Sequence, residues 1–232
     1  MLRAAPDETA PALSQLVAGE AFALLDSIGD WAWGYSVHDH YVGHVRTDAL
    51  GGGPDPTFRV TVPLALAFTA PDIKSPLRAR LPMGAQVHAE GEEGAFFGTI
   101  HGWVHRRHVA PLAERTPDPV TMAERLVGTP YLWGGRAGDG LDCSGLVQLS
   151  LGFAGIAAPR DSDQQQAALG TPLPDIASLR RGDLVFVPSH VAMMVDETRI
   201  IHANAHWMAV TIEPLADMLA RLDKPDVVLR RL

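Results

Sequence analysis

The chain has one cysteine, Cys143, in 232 residues. An intramolecular disulfide is therefore excluded, and nothing points to an oxidising compartment. No stretch of about 18 apolar residues occurs, so no membrane span is expected. The opening residues, MLRAAPDETAPALSQ, lack an apolar core of signal-peptide length, and the expected location is cytoplasmic. Positive charge is in short supply, with 19 Lys and Arg against 27 Asp and Glu, a net charge of −8. Phosphate binding needs a basic surface, so this balance argues against nucleic acid as a partner. The remaining composition, 47% hydrophobic and 20% charged, is that of an ordinary folded protein. The length suits one large domain or two to three small ones.

The lone cysteine sits in YLWGGRAGDGLDCSGLVQLSLGFAG, residues 131–155. A Gly-rich loop from Gly134 to Gly140 runs into Asp142-Cys143-Ser144-Gly145. An apolar run without proline follows: Leu146, Val147, Leu149, Leu151 and Phe153. The pattern predicts a loop and then a helix with Cys143 in its first turn. A helix N-terminus offers unpaired N–H groups and a partial positive charge. Both favour thiolate over thiol, so a lowered thiol pKa is expected there.

Upstream, residues 1–50 alternate short Val, Phe, Trp and Tyr segments with turn residues such as Ser27-Ile28-Gly29-Asp30, an all-β pattern. A linker, Gly51-Gly52-Gly53-Pro54-Asp55-Pro56, separates this from 57–112, which echoes it. Gly84-Ala85-Gln86-Val87 parallels Gly19-Glu20-Ala21-Phe22, and His101-Gly102-Trp103-Val104-His105 parallels His40-Tyr41-Val42-Gly43-His44. A repeat of about fifty residues implies two copies of one small β-barrel, each near the lower size limit for a core of its own. After Pro117-Asp118-Pro119, helical spacing appears over Val120–Val127 with Thr121 as its cap. A Gln-rich helix is expected through Leu169, capped by Ser162. β-rich runs follow at Leu184–Val187, His190–Val195, Arg199–Ala203, Val210–Ile212 and Val227–Leu229. Helices first and strands later predict an α+β unit with an antiparallel sheet.

A cysteine nucleophile needs a base to take its proton and return it to the leaving amine, and histidine does this near neutral pH. His190 opens the strand after Leu184–Val187. If Asp196–Thr198 is the turn, Val195 pairs with Arg199, Ala192 faces His202 and His190 faces Asn204. His190 and His202 then share a face and sit diagonally. His202 could fix the tautomer of His190, with Asn204 as the alternative orienter. His202 and His206 lack carboxylate or cysteine companions at ligand spacing, so no metal and no cofactor is expected.

Two resemblances follow from these residues. Gly-Glu-x-Phe, Asp-Trp-Ala and Tyr-Val-Gly-x-Val look like bacterial SH3-like domains. Tyr131, Asp142-Cys143-Ser144-Gly145, Gly182-Asp183-Leu184-Val185, His190-Val191 and His202-Ala203 resemble the NlpC family of papain-like cysteine peptidases over about residues 120–225. Ala192 stands where that family usually has glycine. The resemblance implies a fold of two SH3-like barrels, 1–53 and 54–115, followed by a papain-like α+β domain, 116–232, with a central antiparallel sheet. It implies Cys143 as nucleophile, His190 as base, His202 as orienter and Tyr131 beside the oxyanion. It further implies hydrolysis of the γ-D-glutamyl–diamino acid bond of peptidoglycan stem peptides, the diamino acid being diaminopimelate or lysine. Members with SH3-like domains act on small muropeptides with a free N-terminal L-Ala, which suggests cell-wall recycling by a monomer. On that reading Asp142 pairs the substrate ammonium, and Ser144 and Tyr41 contact the same end, with Glu20 and Trp33 as weaker candidates. Arg136 and Arg160 could meet substrate carboxylates. Two rival readings remain open: a non-catalytic wall-binding protein, and an amidase or acyltransferase using the same Cys-His site.

Overall fold

The computed structural model describes residues 1–223 and 225–232. The chain divides into two units, Met1–Glu114 and Arg115–Leu232. Among the described residues no helix is long and apolar enough to cross a membrane.

The first unit is all β apart from two 3-10 turns. Strands Leu2–Arg3, Ala12–Ser14, Phe22–Ile28, Trp31–Ser36 and Val42–Arg46 form one antiparallel sheet. Their buried centre is Leu2, Ala32 and Val45, with Leu16, Phe22, Tyr41 and Leu50 packed around it. Gly34 must be glycine, because a Cβ there would lie 2.0 Å from the Ala23 carbonyl oxygen on the neighbouring strand. The second half repeats a local order found in the first. Trp31–Ser36 pairs with Val42–Arg46 and a 3-10 turn, Thr47–Ala49, follows. Likewise Phe96–Thr99 pairs with Gly102–His105, and the 3-10 turn Arg106–His108 follows. The halves meet where the Gln86 N–H donates to the Ala18 carbonyl at 2.7 Å.

In the second unit, helix α1 (Pro119–Glu124) is capped by Asp118, whose carboxylate accepts from the Val120 N–H. Thr121, the expected cap, instead donates its hydroxyl to Asp118. Asp118 wins because it stands one residue before Pro119, whose fixed φ suits the first helical position. Helix α2 (Cys143–Ala154) begins at the cysteine and ends at Gly155, which has φ 81°. Helix α3 (Ser162–Ala168) starts one residue after Asp161, so Ser162 lies inside the helix and does not cap it. Helix α4 (Leu215–Ala220) follows the last hairpin.

The six-stranded sheet runs in the order Thr171–Pro172, Val228–Arg231, Leu184–Val187, His190–Met194, Arg199–Asn204, Ala209–Pro214. All five strand pairings in it are antiparallel. Val185, Val187, Ala192, Met194 and Ile200 pack with Leu215 and Met218 of α4. The Leu184–Val187 strand is buried on both faces, so it reads as a continuous apolar run and not as an alternation. Helix α2 is nearly as enclosed: residues Cys143 to Leu151 are all buried.

The tightest fit around α2 is at Gly145. A Cβ there would lie 2.2 Å from the Gly135 carbonyl oxygen and 3.0 Å from the Asp142 carboxylate. Gly145→Ala must push the 134–140 loop away from the helix start, and overpacking of this kind costs about 1–3 kcal/mol. Thermal unfolding of the Gly145→Ala chain should show a lower Tm for the second unit. An unchanged Tm would mean the loop moves aside freely.

Candidate active site

Cys143 is the first residue of α2 and is 9% exposed. The residue before it, Asp142, caps the helix. Its carboxylate accepts from the Gly145 N–H at 2.7 Å, the Gly134 N–H at 2.9 Å and the Ser144 hydroxyl at 3.3 Å. Arg160 completes the set, with one guanidinium nitrogen at 3.0 Å from Oδ1 and the other at 2.5 Å from Oδ2. The same guanidinium donates to Ser144 Oγ at 2.8 Å. Asp142 and Arg160 are 7% and 2% exposed.

These contacts bear on the expected substrate roles of Asp142, Ser144, Arg160 and Arg136. A carboxylate has about four lone-pair sites, and five donors already use those of Asp142. The hydroxyl of Ser144 is likewise spent between Asp142 and Arg160, inside the protein. Arg160 points inward, toward Asp142 and Ser144. Arg136 is buried too, donating to Gln148 at 2.5 Å. Tyr41 lies in the first unit, packed against the Leu2, Ala32 and Val45 cluster.

The helix also brings Cys143 to the sheet. Its thiol interacts with the backbone N–H of Val191, the residue after His190. Burial pushes the thiol pKa up, and the negative charge of Asp142 pushes it further, while the N–H groups of Val191 and Ser144 offset part of this. The expected thiolate is thus reversed: the helix terminus favours the anion, but desolvation and the adjacent carboxylate outweigh it. His190 is held down to about 4 by burial first and His202 second. Both shifts favour the uncharged forms of the two groups.

The hairpin register is the one the turn at 196–198 implies. Met193 pairs with Ile201, Met194 with Ile200, and the Val195 N–H donates to the Arg199 carbonyl at 2.8 Å. His190 Nε2 and His202 Nδ1 are 2.9 Å apart, with rings at 70°. The alternative orienter, Asn204, is committed elsewhere. It donates to Thr211 Oγ1 at 2.9 Å and accepts from the Trp207 N–H at 2.8 Å, closing the turn before Ala209–Pro214. Tyr131 is within electrostatic reach of Cys143. Burial, then the charges of Cys143 and Asp142, raise its pKa to about 12, so its hydroxyl stays a donor. Asp183 of the Gly-Asp pair is buried and held by Arg231 at 2.7 and 3.0 Å. Among the described residues no group of three His, Cys, Asp or Glu could hold a metal ion.

Residue order does not reveal two contributors: Arg160 as the partner of Asp142, and Glu213, which touches His202 at 2.8 Å. Period-two alternation puts Thr211 and Glu213 on one face of their strand. The length of the turn after Asn204 was the missing piece.

A cysteine at a helix start, a histidine on an antiparallel strand and a second imidazole behind that histidine form the arrangement expected of a papain-like Cys–His site. Comparison with known proteins makes the assignment particular. Residues 128–221 match the NlpC/P60 family, and residues 2–50 match the bacterial dipeptidyl-peptidase SH3 domain. The chain carries an NlpC/P60 domain behind a bacterial SH3 domain. A dipeptidyl-peptidase 6 of Lysinibacillus sphaericus is 29% identical over 62% of this chain and 53% of its own length. A γ-D-glutamyl-L-lysine dipeptidyl-peptidase of Bacillus cereus is 30% identical over 60% of this chain and 41% of its own. The chain thus spans about half or less of these two relatives. An NlpC/P60 family protein of Bacillus cereus has the same fold, with a TM-score of 0.84 at 21% identity over 99% of this chain and 95% of the other.

Because Asp142 raises the thiol pKa, Asp142→Asn should lower it. The rate of iodoacetamide alkylation against pH should shift to lower pH than in the wild-type protein. The same variant leaves Arg160 buried without its counter-charge, a loss of about 3–5 kcal/mol, so its Tm should fall. An unmoved alkylation profile would remove Asp142 from the electrostatics of the thiol.

Proposed function

We propose that the protein is a cysteine endopeptidase that hydrolyses the γ-D-glutamyl–diamino acid bond of peptidoglycan-derived peptides. The observation that carries this reading is the 2.9 Å contact between His190 Nε2 and His202 Nδ1, one residue from the Val191 N–H beside the Cys143 thiol. With Nε2 engaged, Nδ1 is the nitrogen of His190 left for the thiol proton. As the sulfur attacks the γ-carbonyl carbon, Nδ1 takes that proton and the carbonyl π-pair moves onto oxygen. The N–H of Cys143 at the helix start and the Tyr131 hydroxyl stabilise the oxyanion. Collapse of the intermediate expels the amine, which takes the proton from Nδ1 and leaves a thioester. Water, deprotonated by the same nitrogen, then releases the γ-glutamyl acid and restores the thiol.

The substrate class rests on the NlpC/P60 match and on the similarity to the two dipeptidyl-peptidases. Short, soluble fragments with a free N-terminal L-Ala, released during cell-wall recycling, are the proposed substrates. The proposed architecture pairs the matched SH3 domain with a second SH3-like barrel over 54–115.

Cys143→Ala should abolish release of L-Ala-γ-D-Glu from both L-Ala-γ-D-Glu-diaminopimelate and L-Ala-γ-D-Glu-L-Lys while the Tm stays near the wild-type value. Loss of the nucleophile typically costs several orders of magnitude in kcat. Persisting release by the variant would refute a Cys143 mechanism. Absence of release by the wild-type protein from either peptide would refute the substrate class. An N-acetylated peptide in parallel tests the free-amine preference, which fails if both forms turn over equally.

A further inference from the structure

We propose that Glu213 is a positioning residue of this site: its carboxylate fixes the tautomer of His202, and His202 in turn fixes that of His190, so that the base presents a lone pair at Nδ1. This goes beyond the Cys143, His190 and His202 set and rests on the reading of His190 as the base.

The placement follows from the sheet. Ile200 is opposite Glu213 and His202 is opposite Thr211, so His202 and Glu213 are diagonal neighbours on one face. His202 Nε2 lies 2.8 Å from Glu213 Oε1. Both groups are enclosed, at 1% and 8% exposed. The other donors on the carboxylate are the Trp207 indole N–H, 3.3 Å from Oε2, and both terminal nitrogens of Arg221, one of them 2.9 Å from Oε2 and the other against Oε1. Arg221 is the C-cap of α4, and Trp207 stands in the turn between the two strands. The helix, the turn and the strand thus converge on one carboxylate.

Proton accounting then fixes the rest. Three of the four contacts on Glu213, those of Arg221 and Trp207, come from groups that only donate, and an ionised carboxylate can only accept, so the fourth contact must be a donor too. Burial works against its charge, yet the hydrogen bonds of Arg221 and Trp207 hold its pKa below the usual range. His202 must therefore carry its proton on Nε2. Neutral His202 then has only a lone pair at Nδ1, and the 2.9 Å contact with His190 Nε2 requires the proton to be on His190. His190 is left with its lone pair on Nδ1. If His202 took its proton on Nδ1 instead, it would donate to His190 Nε2, and the neutral base would hold its own proton on the nitrogen needed for the thiol.

The test uses the full chain and three readouts. In the wild-type protein at pH 7, nitrogen-15 NMR of the imidazoles should show both His190 and His202 as Nε2–H tautomers. Glu213→Gln sets an amide N–H against groups that themselves donate and opens the opposite tautomer. We expect kcat to fall about 10- to 100-fold, the scale seen when an outer hydrogen-bond partner of a functional histidine is lost, with KM little changed. The iodoacetamide rate of Cys143 near neutral pH should fall in parallel. Because Glu213→Gln also strands Arg221, the double variant Glu213→Gln, Arg221→Met serves as a control for folding. It should recover the Tm but neither the rate nor the tautomer. Wild-type rate and unchanged tautomers in either folded variant would overturn the proposal and make Glu213 a structural residue only. If the wild-type protein cleaves no γ-glutamyl peptide, the tautomer and alkylation readouts still decide the role of Glu213. That result would count against the substrate reading alone.

Discussion

A buried carboxylate that cannot be left unpaired decides where Cys143 stands. Asp142 ends the loop, caps α2 through the Gly145 N–H, holds the loop at Gly134 and pairs with Arg160. Taking either charge out of water alone would cost several kcal/mol, so the two must meet, and they must meet with their hydrogen bonds in place. Arg160 reaches from the segment before α3, and Gln165 of α3 donates to the Ser144 and Pro159 carbonyls at 3.0 and 2.8 Å. The start of α2 is thereby fixed from three directions. The side chain of Cys143 has little freedom to leave Val191.

The other half of the site repeats this arrangement. Behind His190 stands His202, behind His202 stands Glu213, and Arg221 supplies the counter-charge. Each functional group therefore has an acidic residue and an arginine in support, Asp142 with Arg160 and Glu213 with Arg221. The two carboxylates act on their neighbours with opposite consequences. Asp142 opposes the ionised form of the group beside it, since it raises the thiol pKa. Glu213 favours the ionised form of its neighbour, since it pulls the pKa of His202 up against burial.

Much of this was legible from residue order. The position of Cys143 at a helix start followed from a glycine-rich loop meeting an apolar run. The diagonal placement of His190 and His202 followed from one short turn, Asp196–Thr198, and the period of a strand. What was not legible depended on distances that residue order does not carry. Arg160 finds Asp142 across the length of α2, and nothing in PRDS distinguishes it from a surface arginine. Glu213 reaches His202 only because the turn at Ala205–Met208 has the length it has, with Met208 at φ 52°. The two misread caps have a simpler cause. Each has an aspartate one to three residues before the Thr or Ser chosen, and the helix began earlier than the apolar spacing suggested.

The misjudged thiol carries a more general point. A helix N-terminus contributes a partial charge that matters most where water can still reach the sulfur. Here the sulfur is enclosed, and the residue that caps the helix is itself an anion. The cap that builds the helix terminus therefore cancels much of the field that the terminus would exert on Cys143. Burial and its partner push the pKa of His190 down to about 4, and burial and Asp142 push that of the thiol up, so both shifts disfavour a thiolate–imidazolium pair. On the proposed reading His190 takes the proton as the sulfur attacks. For such a step the tautomer of His190 matters more than its charge, and that gives the line from Glu213 through His202 its purpose.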